Sequence, residues 1–312
     1  MLIWWRLRSL MVWFWLGWLA GSGALATPSV VIVSSQSSAA YMETAHALIG
    51  ELERGGLSRY EVLQVDSSEW SELPVQSPKL FIALGTDAAE RLARAGLSTP
   101  VLCTLLPRDS FERVLLRYGR KPSAQFSAIY LDQPISRQIE LIRIAMPSVR
   151  RVGVLWGAGA AQAPAWRAQA QAKGLHLVEA EVSGDDTLFA ALRTVLEGTD
   201  LLLAVPNPQV YGSHSIQNIL LTSFRAKVPM LGFSPAYVRA GAMLALYVAP
   251  SQLAMQAARM ARAVLQGKAL PESAVYSSEF QVSVNEHVAR SLGFQLDERD
   301  LNRQLRAREV VP

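Results

Sequence analysis

The chain has 312 residues, of which 50% are hydrophobic and 18% charged, with one cysteine and a formal net charge of +4. That balance excludes an intrinsically disordered chain, and a lone cysteine excludes a scaffold held by internal disulfides. No basic run is long enough for a nucleic-acid surface, and the charges are scattered apart from an arginine cluster at Arg299, Arg303, Arg306 and Arg308, which reads as a surface helix.

The N-terminus carries Arg6 and Arg8, then the uncharged apolar run 10–19, then Ala24-Leu25-Ala26. A basic, then apolar, then small-residue order is that of a secretory signal peptide over 1–26. An uncleaved anchor is the competing reading; the run is short against the roughly 20 apolar residues of a bilayer span. Thr27 follows the cleavage site and the lone cysteine is Cys103, so no N-terminal cysteine is offered for lipid attachment. The expected location is periplasmic. Removing 26 of 312 residues leaves 286, long for one core and ample for two.

From residue 28 on, short apolar runs alternate with helical patterns. Strands are expected at 30–33, 60–65, 80–84 and 101–105, with helices at 41–55 and 88–95. An extended segment at 126–132 leaves this first set, and the polar stretch 117–123 before it has a linker's composition. The alternation restarts with helices at 136–145, 163–173, 187–196 and 215–225 and strands at 152–156, 178–182, 201–205 and 228–232. The segment 243–248 passes back, 252–265 is a helix, and 277–284 is a last strand that offers a third crossing between the lobes. Repeated β-α alternation implies parallel sheets covered by helices. The fold class expected is α/β, with two Rossmann-like lobes whose parallel sheets are joined by a multi-strand hinge. Lobe 1 spans 27–130 with 247–275 returning to it, and lobe 2 spans 131–246 with 276–312 packing on it.

Catalytic and cofactor signatures are missing. His46, His176, His214 and His287 are too dispersed for a local zinc motif, and no phosphate-binding P-loop occurs. Gly212-Ser213-His214-Ser215 lacks the spacing of a nucleophile elbow. Gly157-Ala158-Gly159 follows a strand as in a dinucleotide turn, but Gln162 holds the third glycine position, and Pro164 falls where the helix begins. Cys103 ends an apolar strand and reads as a buried structural thiol. No catalytic residue, metal or cofactor is expected.

In open parallel sheets, ligands bind outside the carboxyl ends of the strands. Those ends carry Ser34 to Ser37, Gly85-Thr86-Asp87, Cys103-Thr104, 157–159, Pro206-Asn207-Pro208 and Ser234, with Tyr41, Tyr211, Tyr237 and Tyr247 available as flat walls. Each loop alone could be a helix cap. Their recurrence over both halves suggests a shared cleft.

Several segments carry a family resemblance: 83–89 (ALGTDAA), 138–147 (QIELIRIAMP), 151–155 (RVGVL), 200–206 (DLLLAVP), 227–229, 241–243, 261–271 (ARAVLQGKALP), 284–285 and 289–294 (ARSLGF). In this order and spacing the chain resembles the ABC-transporter substrate-binding proteins that include tryptophan- and tyrosine-type binders, over about 80–305. The resemblance implies the type I periplasmic-binding fold and two lobes closing on a small molecule, such as an amino acid or aromatic compound. It further implies delivery to an ABC permease by a monomer. The ligand contacts expected are Ser35, Gln36, Gly85, Thr86, Asp87, Thr104, Asp132, Asn207, Tyr211, Ser234 and Tyr247. Two departures stand out. The chain has 106–109 (LPRD) where the family has an Asp-Pro stretch and a Gly-rich turn, and Ala249-Pro250-Ser251 where it usually has an acidic residue. Asp87 and Asp132 remain as partners for a ligand ammonium. An exported ligand-sensing module acting through a protein partner would use the same fold.

Overall fold

The computed structural model describes residues 28–36, 38–69, 78–207, 209–212 and 214–309. The signal peptide, its cleavage site, Ser37, Pro208 and Ser213 lie outside the described residues.

The first lobe is built on a six-stranded sheet ordered β11-β5-β4-β3-β1-β2, parallel throughout. Its strands are β1 (Val30–Ser34), β2 (Val62–Asp66), β3 (Leu80–Leu84), β4 (Val101–Leu106), β5 (Phe126–Tyr130) and β11 (Val275–Tyr276). β1, β3, β4 and β5 are buried along their whole length, as their predominantly apolar sequences require for strands covered on both faces. One face is covered by α1 (Ala39–Arg54) and α9 (Pro250–Leu265), whose Leu48, Leu52, Leu253, Ala254, Ala257 and Ala261 pack with Val30 and Ile32. The other face is covered by α2 (Thr86–Ala95) and α3 (Arg108–Arg117), through Ala88, Leu92, Phe111 and Val114 against Val31, Val33 and Phe81.

The second lobe repeats the plan with the order β12-β10-β9-β8-β6-β7. Strands β6 (Arg151–Gly157), β7 (His176–Val182), β8 (Leu201–Leu203), β9 (Met230–Gly232) and β10 (Leu244–Tyr247) are parallel, and β12 (Gln281–Val284) is antiparallel to β10. Helices α4 (Ile135–Ala145), α5 (Ala163–Ala172), α10 (Glu286–Ser291) and α11 (Glu298–Glu309) contribute to the core on one face. Helices α6 (Asp185–Glu197) and α7 (Ile216–Arg225) cover the other, and α8 (Pro235–Ala240) closes the edge through Tyr237. The result is the type I periplasmic-binding fold.

The chain passes between sheets at three places: 131–134 from β5 to α4, 248–249 from β10 to α9, and 277–280 from β11 to β12. Four expectations are thereby corrected, the first being that 243–248 passes back: Leu244–Tyr247 is β10 of the second sheet, and the crossing is only 248–249. The segment 126–132 does not leave the first sheet as a whole; its first five residues are β5, paired to β4, and the crossing begins only at Leu131. The polar stretch 117–123 is the end of α3 and a turn inside the first lobe, not a linker. The segment 277–284 is not one strand: Ser277 to Phe280 cross, and only 281–284 joins the second sheet. Helix α3 was not expected; its apolar residues Phe111, Val114 and Leu115 fall at helical spacing but are few and set among charges.

Arg137, 7% exposed in the first turn of α4, ties the crossings together. Its Nη1 donates to Gln133 Oε1 at 2.6 Å in one crossing and to the Ser277 carbonyl at 3.1 Å in another. Its Nε and Nη2 meet the carboxylate of Glu309 near the end of α11, and the guanidinium lies 4.6 Å from the centroid of the Phe280 ring. Arg306 approaches the same ring at 4.8 Å. The arginine-rich tail is therefore a docked brace, with Leu301 and Leu305 buried.

Candidate functional site

The strand ends of the first sheet converge through backbone bonds. Ser35 N donates to the Leu84 carbonyl and Gly85 N to the Thr104 carbonyl, at 2.9 and 2.8 Å, joining the ends of β1, β3 and β4. Ser35 Oγ accepts from Ala88 N at 2.8 Å, so a hydroxyl from β1 caps α2 of another β-α unit. Gly85 has φ +88° and lies under the Tyr41 hydroxyl and Ser35; a Cβ there would overlap both. Only glycine satisfies that backbone and that approach. Thr86 is half-buried and Asp87 exposed at the start of α2. Burial, aided by the Asp87 carboxylate, holds the Tyr41 phenol above its usual range.

Beyond Thr104 the chain departs from regular geometry. Leu105 has φ +56°, and the β4–β5 register shifts between Cys103 and Leu106. A non-glycine residue in the left-handed region costs about 1–3 kcal/mol and marks a site the surroundings over-determine. The kink sends residues 107–109 across the sheet end into α3, where Arg108 N donates to Asp132 Oδ2. Asp132, in the first crossing, is 7% exposed, and its Oδ1 has no protein partner. Burial pushes its carboxyl up to about 6, the nearby Asp109 carboxylate adds to the shift, and the Arg108 N–H opposes it. Asp109 is also raised, chiefly by burial, and its Oδ1 has no partner either. Thr104 is fully buried with its hydroxyl oxygen unpaired.

On the second sheet, Asn207 Oδ1 accepts from Gln209 N at 2.9 Å, and its amide lies against Gly157 so closely that a Cβ at that glycine would overlap it. Gly157 thus serves the close approach of the Asn207 side chain. Ser234 precedes α8 without its side chain capping it. Tyr211 is placed in the core of the second lobe: it is 5% exposed, its hydroxyl donates to the Leu203 carbonyl at 3.4 Å, and its carbonyl accepts from the Tyr237 hydroxyl at 3.0 Å. The Tyr247 hydroxyl bonds Gln281 and Ser283 on β12, at 3.0 and 3.1 Å.

The structure therefore brings Ser35, Gly85, Thr86, Asp87 and Thr104 to one edge, with Gln36 exposed beside them and Asp132 at the neighbouring crossing. Asn207 and Ser234 occupy the matching edge of the second sheet, whereas the side chains of Tyr211 and Tyr247 are committed to packing and to β12. Two residues escaped the sequence reading. The side chain of Gln162, in the second lobe, favours the ionised form of the Asp109 carboxylate against the burial that raises it. The signal for Gln162 was its place in the failed glycine fingerprint; Asp109 depends on the kink at Leu105, which nothing in the sequence marks.

Among the described residues, no group of three or more His, Cys, Asp or Glu side chains could hold a metal ion, and no helix is long and apolar enough to cross a membrane.

A sequence profile described as ABC transporter substrate binding protein matches residues 68–308. The chain belongs to that family. Among solved structures it is similar to a ligand-free, open substrate-binding protein with adhesive properties from Clostridium difficile, at 17% identity and a TM-score of 0.68, covering 87% of this chain and 96% of that one. It is also similar to an ABC domain in complex with L-Trp from Streptococcus pneumonia, at 16% identity and a TM-score of 0.63 over 87% and 97% of the two chains. A conserved domain protein from Vibrio cholerae gives 20% identity and 0.64 over 88% and 97%. No curated protein matches the chain in sequence. Membership in a substrate-binding family accords with a fold built on two sheets, each ending in polar loops.

Proposed function

We propose that this chain is the exported, periplasmic solute-binding component of an ABC-type uptake system. It is not an enzyme: it captures one small molecule between its lobes as a monomer and presents the closed form to an inner-membrane permease. The observation that carries this reading is that Asp109 of the first lobe interacts with Gln162 of the second, beside the buried carboxylate of Asp132 with its unpartnered Oδ1. A ligand touching both lobes favours the closed state by its differential contact with it, and three short crossings can absorb that motion. Ser35, Gln36, Gly85, Thr86, Asp87, Thr104 and Asp132 would supply first-lobe contacts, and Asn207 and Ser234 second-lobe contacts. Tyr211 and Tyr247 would support the second-lobe edge. The L-Trp complex of the streptococcal relative supports amino acids or aromatic compounds as the first classes to screen.

The test is a thermal-shift screen of amino acids and other metabolites, followed by titration calorimetry of any hit. A 1:1 ligand whose affinity falls on replacing Thr86 or Asp132 with Ala supports the reading. Silence across a broad panel, or affinity unchanged in both variants, contradicts it.

A further inference from the structure

The solute-binding reading, on which this inference rests, requires the lobes to turn about the three crossings, and the side chains gripping each crossing show where the turn falls. In the first crossing, Asp132 is held by the first lobe: its Oδ2 accepts from the N–H of Arg108, the first residue of α3. The next residue, Gln133, is held by the second. Its Oε1 accepts from Arg137 Nη1 at 2.6 Å and its carbonyl from Gln138 Nε2 at 2.9 Å, both donors on α4. The third crossing is gripped in the same way. Tyr276 pairs in β11 with Tyr130 of β5, and its hydroxyl accepts from Arg108 Nη1 at 3.2 Å. The carbonyl of Ser277, the next residue, accepts from Arg137 Nη1 at 3.1 Å. In the second crossing, Tyr247 ends β10 and its hydroxyl bonds Gln281 and Ser283 of β12, whereas Val248 is buried in the core of the first lobe.

Each crossing therefore passes from one lobe to the other within a single peptide link: Asp132–Gln133, Tyr247–Val248 and Tyr276–Ser277. Two arginines bracket the first and the last of these, Arg108 from the start of α3 and Arg137 from the first turn of α4. They are not equivalent. Tyr276 is fixed by its strand pairing whether or not Arg108 reaches it, but Gln133 and Ser277 lie in no strand or helix. Among the described residues, Arg137 is the one side chain that bonds both. The rest of its fork meets the carboxylate of Glu309 on α11, and the Phe280 ring faces the guanidinium. A planar guanidinium serves several acceptors in one fixed geometry, which the point charge of a lysine does not. One contact reaches past the partition: Gln256 of α9 donates to the Tyr276 carbonyl at 3.4 Å and accepts from Ser278 N at 3.1 Å. It is a half-buried amide on a rotatable stem, able to follow a turn at the neighbouring link.

We infer that Arg137 is a positioning residue for ligand capture: held by Glu309 of the C-terminal helix, it keeps Gln133 and Ser277 rigid with the second lobe and confines closure to three single links. A domain hinge concentrates its motion in a few residues that absorb the φ/ψ change. Without the grip, the turn spreads over 131–134 and 277–280, and the lobes lose a defined path toward each other.

The experiment places spin labels on cysteines introduced by Arg94→Cys in α2 and Arg193→Cys in α6, both exposed and one on each lobe; the buried Cys103 stays unlabelled. Double electron–electron resonance on the ligand-free mature chain then compares the parent with Arg137→Lys and with Glu309→Gln, a partly exposed change that leaves the core intact. Arg143→Lys, which alters an arginine paired with Glu140 at the surface, is the control. The distribution of inter-lobe distances should widen about twofold or more in Arg137→Lys, in the same direction but less in Glu309→Gln, and not at all in the control. A residue that only stabilised the fold would lower the melting temperature and leave the distances of the folded protein unchanged. Arg137→Lys with a distribution as narrow as the parent's therefore overturns the inference; should that variant not fold, an unchanged distribution in Glu309→Gln does the same. No ligand enters the measurement, so either result leaves the solute-binding reading to its own screen.

Discussion

Replacing Asp132 with Asn should make the ligand-free protein more stable at neutral pH while removing a group proposed to bind ligand. The carboxyl is raised from 3.8 to about 6, mainly by burial, with Asp109 adding to the shift and Arg108 opposing it. A raised carboxyl means that the folded state holds a proton the unfolded chain has already lost. The stabilisation by the protonated form is complete below about pH 4 and is lost as pH rises through about 6. At about 1.4 kcal/mol per pH unit, the buried charge costs the fold about 3 kcal/mol above that window. Asparagine keeps the acceptor for Arg108 N and carries no charge. The variant should therefore melt several degrees above the parent at pH 7.5, since 1 kcal/mol moves a domain of this size by about 2–4 °C. The two curves should converge toward pH 4.5. Melting by circular dichroism between pH 4 and 8 reads this directly. A variant that melts below the parent at pH 7.5 would show that the ionised carboxylate is held by a favourable partner, and the argument from its orphaned oxygen would fall.

Other outcomes rest on particular contacts. Gly85→Ala combines a φ of +88° with overlap of Tyr41 and Ser35, so it should lower stability by at least about 2 kcal/mol in urea titration; an unchanged midpoint would mean that the turn relaxes freely. Cys103 is fully buried and its thiol is pushed well up by that burial, so Ellman's reagent should find no thiol in the native protein and one per chain after denaturation. Arg137→Ala should cost about 1–3 kcal/mol, because it leaves Gln133 and the Ser277 carbonyl without their shared donor and Glu309, which water can reach, without its ion pair. A loss below about 1 kcal/mol in chemical denaturation would show that the knot at the crossings is not a structural tie.

Much of the fold was legible because the doubly wound plan writes itself in local patterns. Runs such as 80–84 and 201–203 are apolar at every position, as strands covered on both faces must be, and glycines end the helices between them. The breaks in legibility are long-range. Whether residues 126–130 leave the first sheet or pair with β4 is decided by a partner 25 residues upstream, and 277–284 is part crossing and part strand because its first four residues span the lobes. At the site, the strand-end rule located Ser35, Gly85, Thr104 and Asn207 at sheet edges, since sheet direction alone fixes where those loops emerge. It could not distinguish Tyr211, whose ring turns into the core, from a cleft-facing tyrosine, because side-chain direction depends on the helices packed around it. Nor could it find Asp109, whose place beside Asp132 follows the turn at one left-handed residue, Leu105.

The measurement that tests the central claim most directly is native mass spectrometry of the mature protein with its screened or co-purified ligand, alongside one variant from each lobe, Thr104→Val and Asn207→Ala. The account predicts one small molecule per chain in the parent and its loss from both variants, because a cleft ligand depends on both lobes at once. Stoichiometric ligand retained by both variants, or no ligand held by the parent under any condition, would contradict capture between the lobes.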